Sequence, residues 1–464
     1  MLIRLKRRES PADVIVRGAM VRAPKHLVNI DKVRNDLKLR NAAYWQAMQT
    51  GAPTQGLEPF LELFRETDEW VEVPRHYPLP LLAPAPATTT QVLTGRPLQA
   101  GPLSKIEPRD EVQVESVDAL LADRTDKILA LGCGKGKTFV SLYSAAKGKR
   151  YPILVVVHTN ALLDQWRQRI TDFLGIEPDD VGHIQGPTVR WNGYGIAVAM
   201  LHSLVQKQYE DGFYKYWNLV IFDEVHRIGA KTFIQAASMF NAERWGLSAT
   251  LQRADGMDKA IHLHLGPVAY EDLRQPLEPT IYFVPTNLQI NMQRYIFRGG
   301  RVNLAQLMTT LADHPVRNQK IMHWLDKAVK DGRTVLVLGE RLSQLSTLCE
   351  MMTSTESKAI HVGSMTQEER RDALTKQVVF ATQHLAKEGL DRPAFDTLFI
   401  LIPFGGDGRL QQSVGRILRT FDGKKDPKVL IFEDDISIIK ALGNKMRRNL
   451  KKMGYPAKEL KKKE

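Results

Sequence analysis

The chain has 464 residues, 65 lysines and arginines against 52 aspartates and glutamates, a formal charge of +13, 43% apolar residues and 25% charged ones. That balance excludes a mostly disordered chain, a collagen-like chain and a coiled-coil rod, and leaves room for about three domains of roughly 150 residues. No apolar run reaches the roughly 18 residues of a bilayer span, and two cysteines, Cys133 and Cys349, are too few for a disulfide framework or a structural zinc site.

The N-terminus, MLIRLKRRESPAD, is basic and lacks the apolar core of a secretory signal, so a reducing, cytoplasmic compartment is expected. Residues 1–75 are expected to form a small α+β accessory module, a candidate for DNA recognition. Leu2–Leu5 and Val14–Val16 are predicted strands. Residues 31–49 are a predicted helix with Val33, Leu37, Ala42, Tyr44 and Trp45 toward the core. Trp70–Val73 is a predicted strand that stops at Pro74. Residues 76–104 carry Pro78, Pro80, Pro84, Pro86, Pro97 and Pro102, which predicts an extended, non-helical connector. From 105 to 275, apolar runs at 128–131, 153–157, 196–200 and 219–222 predict strands buried on both faces. They alternate with helical spacing such as Leu162, Trp166, Ile170 and Phe173. Residues 276–304 are expected to be an interdomain linker. Within it, Tyr295–Val302 is either an aromatic-tipped hairpin turning at Gly299-Gly300 or a linker that packs its aromatic residues onto the core. Residues 305–435 repeat the α/β pattern with runs at 335–338, 378–381, 398–402 and 429–432, so two α/β domains stand in tandem. The segment 436–464 is a basic helix or tail that either holds duplex phosphates or keeps the chain soluble.

The chemistry concentrates in three places. Gly132-Cys133-Gly134-Lys135-Gly136-Lys137-Thr138 joins the run at 128–131 to a helical stretch, the context of a phosphate-binding loop. Its glycines let backbone N–H groups close on phosphates, Lys137 reaches the β- and γ-phosphates, and Thr138 ligates Mg²⁺. Asp223-Glu224-Val225-His226 ends the run at 219–222; there Asp223 would hold Mg²⁺, mostly through water, and Glu224 would polarise the attacking water. Arg416 and Arg419, spaced i and i+3, share a helix face that is either a solvated basic surface or a stabiliser of charge on the γ-phosphate across an interdomain cleft.

Taken in order, GCGKGKT, DEVH, Ser248-Ala249-Thr250 and Gln412–Arg419 resemble the motifs of a superfamily 2 helicase. Residues 155–166 are similar to motif Ia, 199–204 to motif Ib, and Ala381-Thr382-Gln383 with Glu388–Asp391 to motif V. The phrase GLSATLQRADG (246–256) is similar to DExH helicases of tailed phages and large DNA viruses, relatives of the XPB repair helicases. The resemblance spans about 105–435. It implies an α/β fold of two tandem RecA-like parallel-sheet domains beside the small N-terminal module.

It also implies that Gly134, Lys135, Gly136, Lys137, Thr138, Asp223 and Glu224 serve ATP and Mg²⁺, with Gly389, Asp391, Gln412, Arg416 and Arg419 on the second side of the nucleotide. His226, Ser248 and Thr250 couple the nucleotide to the strand. Thr159, Ser203 and Thr382 touch its phosphates, with ordinary helix caps and loop residues as the alternative. Read from the residues alone, Arg253-Ala254-Asp255-Gly256 is either a structural turn or a segment near the fork, with Arg253 as a candidate nucleic-acid contact. Gln113, in Arg109–Gln113, only approximates the adenine-recognition signal. Leu131 stands where the phosphate loop usually begins with glycine or alanine, and Leu251 where many relatives have proline. The activity implied is ATP- and Mg²⁺-dependent travel 3′→5′ along one DNA strand, unwinding or branch-migrating forked DNA in replication, recombination or repair. The alternatives are a duplex DNA translocase that does not separate strands, an RNA helicase, and an ATP-gated DNA-binding switch. A monomer acting in the cytoplasm, the host's if the source is viral, completes the expectation.

Overall fold

The computed structural model describes residues 14–50, 53–83, 88–91, 101–132, 134–227, 230–250, 258–274, 277–297, 302–352, 357–362, 365–383, 390, 392–405 and 407–458. Cys133, Arg253, Gly389, Asp391 and the predicted strand Leu2–Leu5 lie outside them. The chain forms two compact units, Met1–Leu273 and Arg274–Glu464. No helix among the described residues is long and apolar enough to cross a membrane.

The first unit opens with β1 (Val14–Arg17), β2 (Met20–Pro24), β3 (Lys38–Arg40), β4 (Phe60–Glu62), β5 (Arg65–Glu66), β6 (Trp70–Pro74) and β7 (Thr88–Gln91). They make a sheet of order β5-β6-β2-β1-β7 and a separate β3-β4 pair. The helix predicted over 31–49 is two helices, Ile30–Leu37 and Ala42–Thr50, with β3 between them. Asn29 caps the first by accepting the Lys32 N–H, and Val33 and Leu37 bury one stripe. At Lys38-Leu39-Arg40 the period changes from helical spacing to alternation, and β4 is there to pair with it. The proline-rich stretch is likewise more structured than expected. Pro78 precedes a short helix, Leu79–Leu82, with Pro80 in its first turn, where a missing N–H costs nothing. The β-branched Thr88–Thr90 then add β7 in parallel to β1.

The remainder of this unit is a sheet of β8 (Lys127–Leu131), β9 (Ile153–Val157), β10 (Gly182–Gln185), β11 (Thr188–Arg190), β12 (Ile196–Met200), β13 (Leu219–Phe222), β14 (Glu243–Ser248) and β15 (Val268–Asp272). Its order is β11-β10-β12-β9-β13-β14-β8-β15, parallel except for β10 with β11. All four predicted apolar runs are strands with both faces covered. β14 escapes an apolar-run search because Glu243 and Arg244 head it, yet both are buried. The Arg244 guanidinium donates to the carbonyls of Ala19 (2.6 Å), Phe240 (2.6 Å) and His264 (3.1 Å), and its backbone N–H donates to Asp126 (2.9 Å). Arg75 donates to both Asp126 oxygens (2.9 and 3.0 Å) and to the carbonyls of Gly18, Phe240 and Ala242. This buried knot joins the N-terminal sheet to the α/β sheet, so both belong to one unit.

The second unit carries β16 (Thr280–Pro285), β17 (Val335–Gly339), β18 (Lys358–His361), β19 (Val378–Thr382), β20 (Thr397–Ile400), β21 (Lys428–Glu433) and β22 (Ala457–Lys458), all parallel, in the order β18-β19-β17-β20-β21-β16-β22. The expected linker 276–304 therefore holds a strand, β16, because Ile281 and Val284 are core residues between β21 and β22. Ile296 and Val302 form an antiparallel bridge. Tyr295 just before it is buried, with its hydroxyl on Thr310 (3.1 Å), while Phe297 stays exposed. The basic segment is a helix, Ser437–Lys452, followed by a return to the sheet as β22.

Candidate active site

The strand order β13-β14-β8 sets three carboxyl ends side by side, the usual place for ligands in an open parallel sheet. β8 leads into the glycine loop, β13 into Asp223 and β14 into Ser248.

Leu131, at the usual glycine position, is a fully buried core residue closing β8. Gly134 and Gly136 have φ of +82° and +87°, open to glycine at no steric cost. A Cβ on Gly136 would lie 2.5 Å from the Gln113 amide nitrogen. That amide donates to Lys135 O (3.1 Å), its oxygen accepts the Arg109 N–H (3.1 Å), and the Arg109 guanidinium donates to Gly134 O (3.0 Å). Gln113 and Arg109 thus clamp the loop. The Lys135 ammonium pairs with the buried Asp272 at 2.6 Å. Lys137 and Thr138 open the helix Lys137–Lys147, and the Lys137 ammonium donates to Leu131 O (3.0 Å).

Asp223 is buried at the end of β13. Its two oxygens accept from the Trp166 indole (2.7 Å) and the Glu224 N–H (2.9 Å). Burial, and then the neighbouring Glu224 carboxylate, push its carboxyl up to about 6. Glu224 sits at φ +50°, a left-handed conformation costing a non-glycine residue roughly 1–2 kcal/mol. His226 Nδ1 lies 3.3 Å from the Glu224 carboxylate and 3.0 Å from Ser248 Oγ. The Ser248 hydroxyl donates to Thr250 O and accepts the Thr250 N–H (3.2 Å). Its single hydrogen being so used, His226 Nδ1 is the donor to Ser248. His226, Ser248 and Thr250 therefore form one hydrogen-bonded chain, and the Glu224 carboxylate stands against its first member as an ion-pair contact that needs a protonated imidazole.

Thr159 caps the helix Asn160–Leu174 by accepting the Leu162 N–H (3.3 Å), and Ser203 Oγ accepts the Gly186 N–H (3.0 Å). Both follow the ends of the adjacent strands β9 and β12 and are half-exposed. In the second unit, Thr382 ends β19 and Gln412 is buried on the helix Asp407–Gly415. Arg416 and Arg419 do not lie on that helix, which stops at Gly415. The Arg416 N–H is shared between Gln412 O (3.2 Å) and Ser413 O (3.3 Å), and i→i−3 bonds from Ile417 N–H to Val414 O (3.1 Å) and Leu418 N–H to Gly415 O (3.3 Å) continue the turn, drawn inward by the buried Ile417 and Leu418. Residues three apart still eclipse in such turns.

The sequence marks Trp166 only as a core residue. The available signal was its polar N–H, which a buried indole must place on a partner. Among the described residues no group of three or more His, Cys, Asp or Glu side chains is arranged to hold a metal ion. A Mg²⁺ here would rest on few protein ligands and on phosphate oxygens.

Residues 105–253 match the family described as type III restriction enzyme, res subunit. The chain is 28% identical over 339 residues to a putative ATP-dependent RNA helicase of Acanthamoeba polyphaga mimivirus, covering 71% of this chain and 64% of that protein. It is 24% identical over 310 residues to the DNA 3′-5′ helicase XPB of Kineococcus radiotolerans (63% and 54%). It is 27% identical over 372 residues to the DNA 3′-5′ translocase XPB2 of Sulfurisphaera tokodaii (71% and 81%). The matched part thus spans a little over half to four fifths of these relatives.

Proposed function

We propose that the chain is an ATP-hydrolysing DNA helicase of superfamily 2, DExH branch, moving 3′→5′ on one strand and opening or branch-migrating forked DNA. The observation that carries this reading is the contact chain Glu224–His226–Ser248–Thr250. It ties the carboxylate that would handle the attacking water to the neighbouring strand end, so a change at the nucleotide has a mechanical path. A nucleotide-binding protein with no motor cycle has no need of that path.

The residues fit ATP and Mg²⁺. Left-handed glycines lead straight into a helix N-terminus, and one carboxylate with both oxygens hydrogen-bonded stands two strands away in the sheet. Bound Mg²⁺–ATP supplies the phosphoanhydride whose cleavage drives the cycle. On this reading Lys137 exchanges Leu131 O for phosphate oxygens, Thr138 and Asp223 hold the metal, and Glu224 takes a proton from water. Gln113 and Arg109 keep the loop in shape, and Arg416 and Arg419 stabilise charge on the γ-phosphate. Thr159, Ser203 and Thr382 hold backbone phosphates, which carry no base information. Differential grip on the strand in two nucleotide states turns hydrolysis into direction.

The relatives named as DNA 3′-5′ helicase and translocase favour DNA and that polarity. The translocase name supports a second reading, travel on duplex DNA without strand separation, and the mimivirus name keeps RNA in the test. The deciding assay measures ATPase stimulation by single-stranded, duplex and forked DNA and by RNA, with strand displacement on forks of opposite overhang polarity. Displacement of one fork polarity is expected. Strong duplex stimulation without displacement selects the translocase, and stimulation by RNA alone ends the DNA reading.

A further inference from the structure

The helix Ser437–Lys452 has two faces with different commitments. Ile439, Gly443, Met446, Asn449 and Leu450 are buried. The helix is also locked: the Arg447 guanidinium grips both Glu433 oxygens (2.8 and 2.7 Å) and stacks 3.8 Å from the Phe283 ring centroid. A Cβ at Gly443 would lie 1.8 Å from Glu433 Oε1, so only glycine admits that carboxylate. β22, pairing with β16, fixes the far end.

The opposite face is exposed: Lys440, Ala441, Asn444, Lys445, Arg448, Lys451 and Lys452. At about 100° per residue these fill an arc of roughly 140°. No acidic residue occurs from 437 to 458. Lys440 is paired with Asp435 just before the helix. Lys445, Arg448, Lys451 and Lys452 have no ion-pair partner among the described residues. Favourable interaction with the helix dipole accounts for Lys451 and Lys452 in the last turn, and not for Lys445 and Arg448 further back.

We propose that this arc docks the phosphate backbone of duplex nucleic acid through Lys445, Arg448, Lys451 and Lys452. The inference rests on the proposed function only for the identity of the polymer. A lipid surface fits poorly, because an interfacial helix must offer its apolar face, and here that face is in the core. A single strand fits poorly because the arc has no aromatic residue on which bases stack. A rigid row of cations matches the dense charge of a duplex, about one per 1.7 Å of axis.

The test uses the full chain and its K445A/R448A/K451A/K452A variant, titrated against fluorescent duplex and single-stranded DNA over a salt series, and against vesicles of phosphatidylserine and phosphatidylcholine. For the duplex, the slope of log affinity against log salt should flatten by about 3 to 4, near 0.9 per lost phosphate contact. Affinity at low salt should fall at least about tenfold. Single-strand binding and nucleotide turnover without DNA should stay within about twofold. The charge-preserving K445R/K451R/K452R variant should keep the wild-type slope. An unchanged duplex slope, an equal loss on the single strand, a loss confined to vesicles, or a collapse of the charge-preserving variant would each overturn the assignment. Wild-type protein that binds neither form of DNA would instead sink the proposed function itself.

Discussion

The two α/β sheets share an architecture and differ in how they use buried charge. In the second unit Arg317 and Asp434, both wholly buried and 2.8 Å apart, and Arg333 with Asp396 and Thr397, tie helices and loops to the sheet. In the first unit the Arg75–Asp126–Arg244 knot does the same work away from the glycine loop. At the ends of β13 and β14, however, polar groups are held against their preferences. Asp223 is buried with its carboxyl raised to about 6, and Glu224 is left-handed. Burial perturbs both sets: among the described residues Arg244 Nε, Arg317 Nη1 and Asp434 Oδ2 lack a hydrogen-bond partner and Glu243 is raised to about 7, so what separates site from scaffold is the left-handed backbone at a carboxylate residue, Glu224.

Four experiments break or sharpen the contrast. The largest effect is expected from Glu224→Gln and Lys137→Ala, each lowering ATP turnover by about 10³-fold or more while leaving melting temperature and salt-sensitive DNA binding nearly intact. A switch would lose little with Glu224→Gln, and loss of DNA binding with Lys137→Ala would make the loop structural. Next comes scaffold charge. Arg317→Ala or Asp126→Ala strands a buried partner and should cost about 3–5 kcal/mol in denaturant unfolding; a loss below about 1 kcal/mol would erase the distinction.

A smaller effect concerns pH. Because the folded Asp223 carboxyl is raised, its contribution to stability is present below the ordinary carboxylate range and lost as pH rises through about 6. In metal-free melts from pH 4 to 8, wild type should therefore lose stability relative to Asp223→Asn as pH rises from the ordinary carboxylate range and level off above about 6. Trp166→Phe, lacking the indole donor, should move that levelling-off to higher pH, and a parallel pair of curves would refute the strain. The smallest change is expected from Gln113→Ala, which loosens the loop clamp. A rise of about three- to tenfold in the ATP KM with kcat nearly constant is the outcome to check, and a matching fall in kcat would place Gln113 in the chemistry.

The strands at 128–131, 153–157, 196–200 and 219–222 were legible because a strand covered on both faces must be apolar throughout. The glycine loop was legible because left-handed turns and a following lysine leave few residue choices. β14 and β16 were not, since Glu243 and Arg244 obey partners far along the chain, and Thr280–Pro285 needs β21 to become a strand. The break in the helix over 31–49 needed β4, and the end at Gly415 needed a core to receive Ile417 and Leu418.

Local rules, then, were enough for the apolar cores, the phosphate loop and the carboxylate pair, because each follows from neighbours within a few residues. The union of the N-terminal sheet with the first α/β sheet, the indole on Asp223, the Lys135–Asp272 pair and the locking of the basic helix on Glu433 came from folding. Their energy lies in contacts between distant residues, and a buried polar atom has no preferred partner until packing has closed off water.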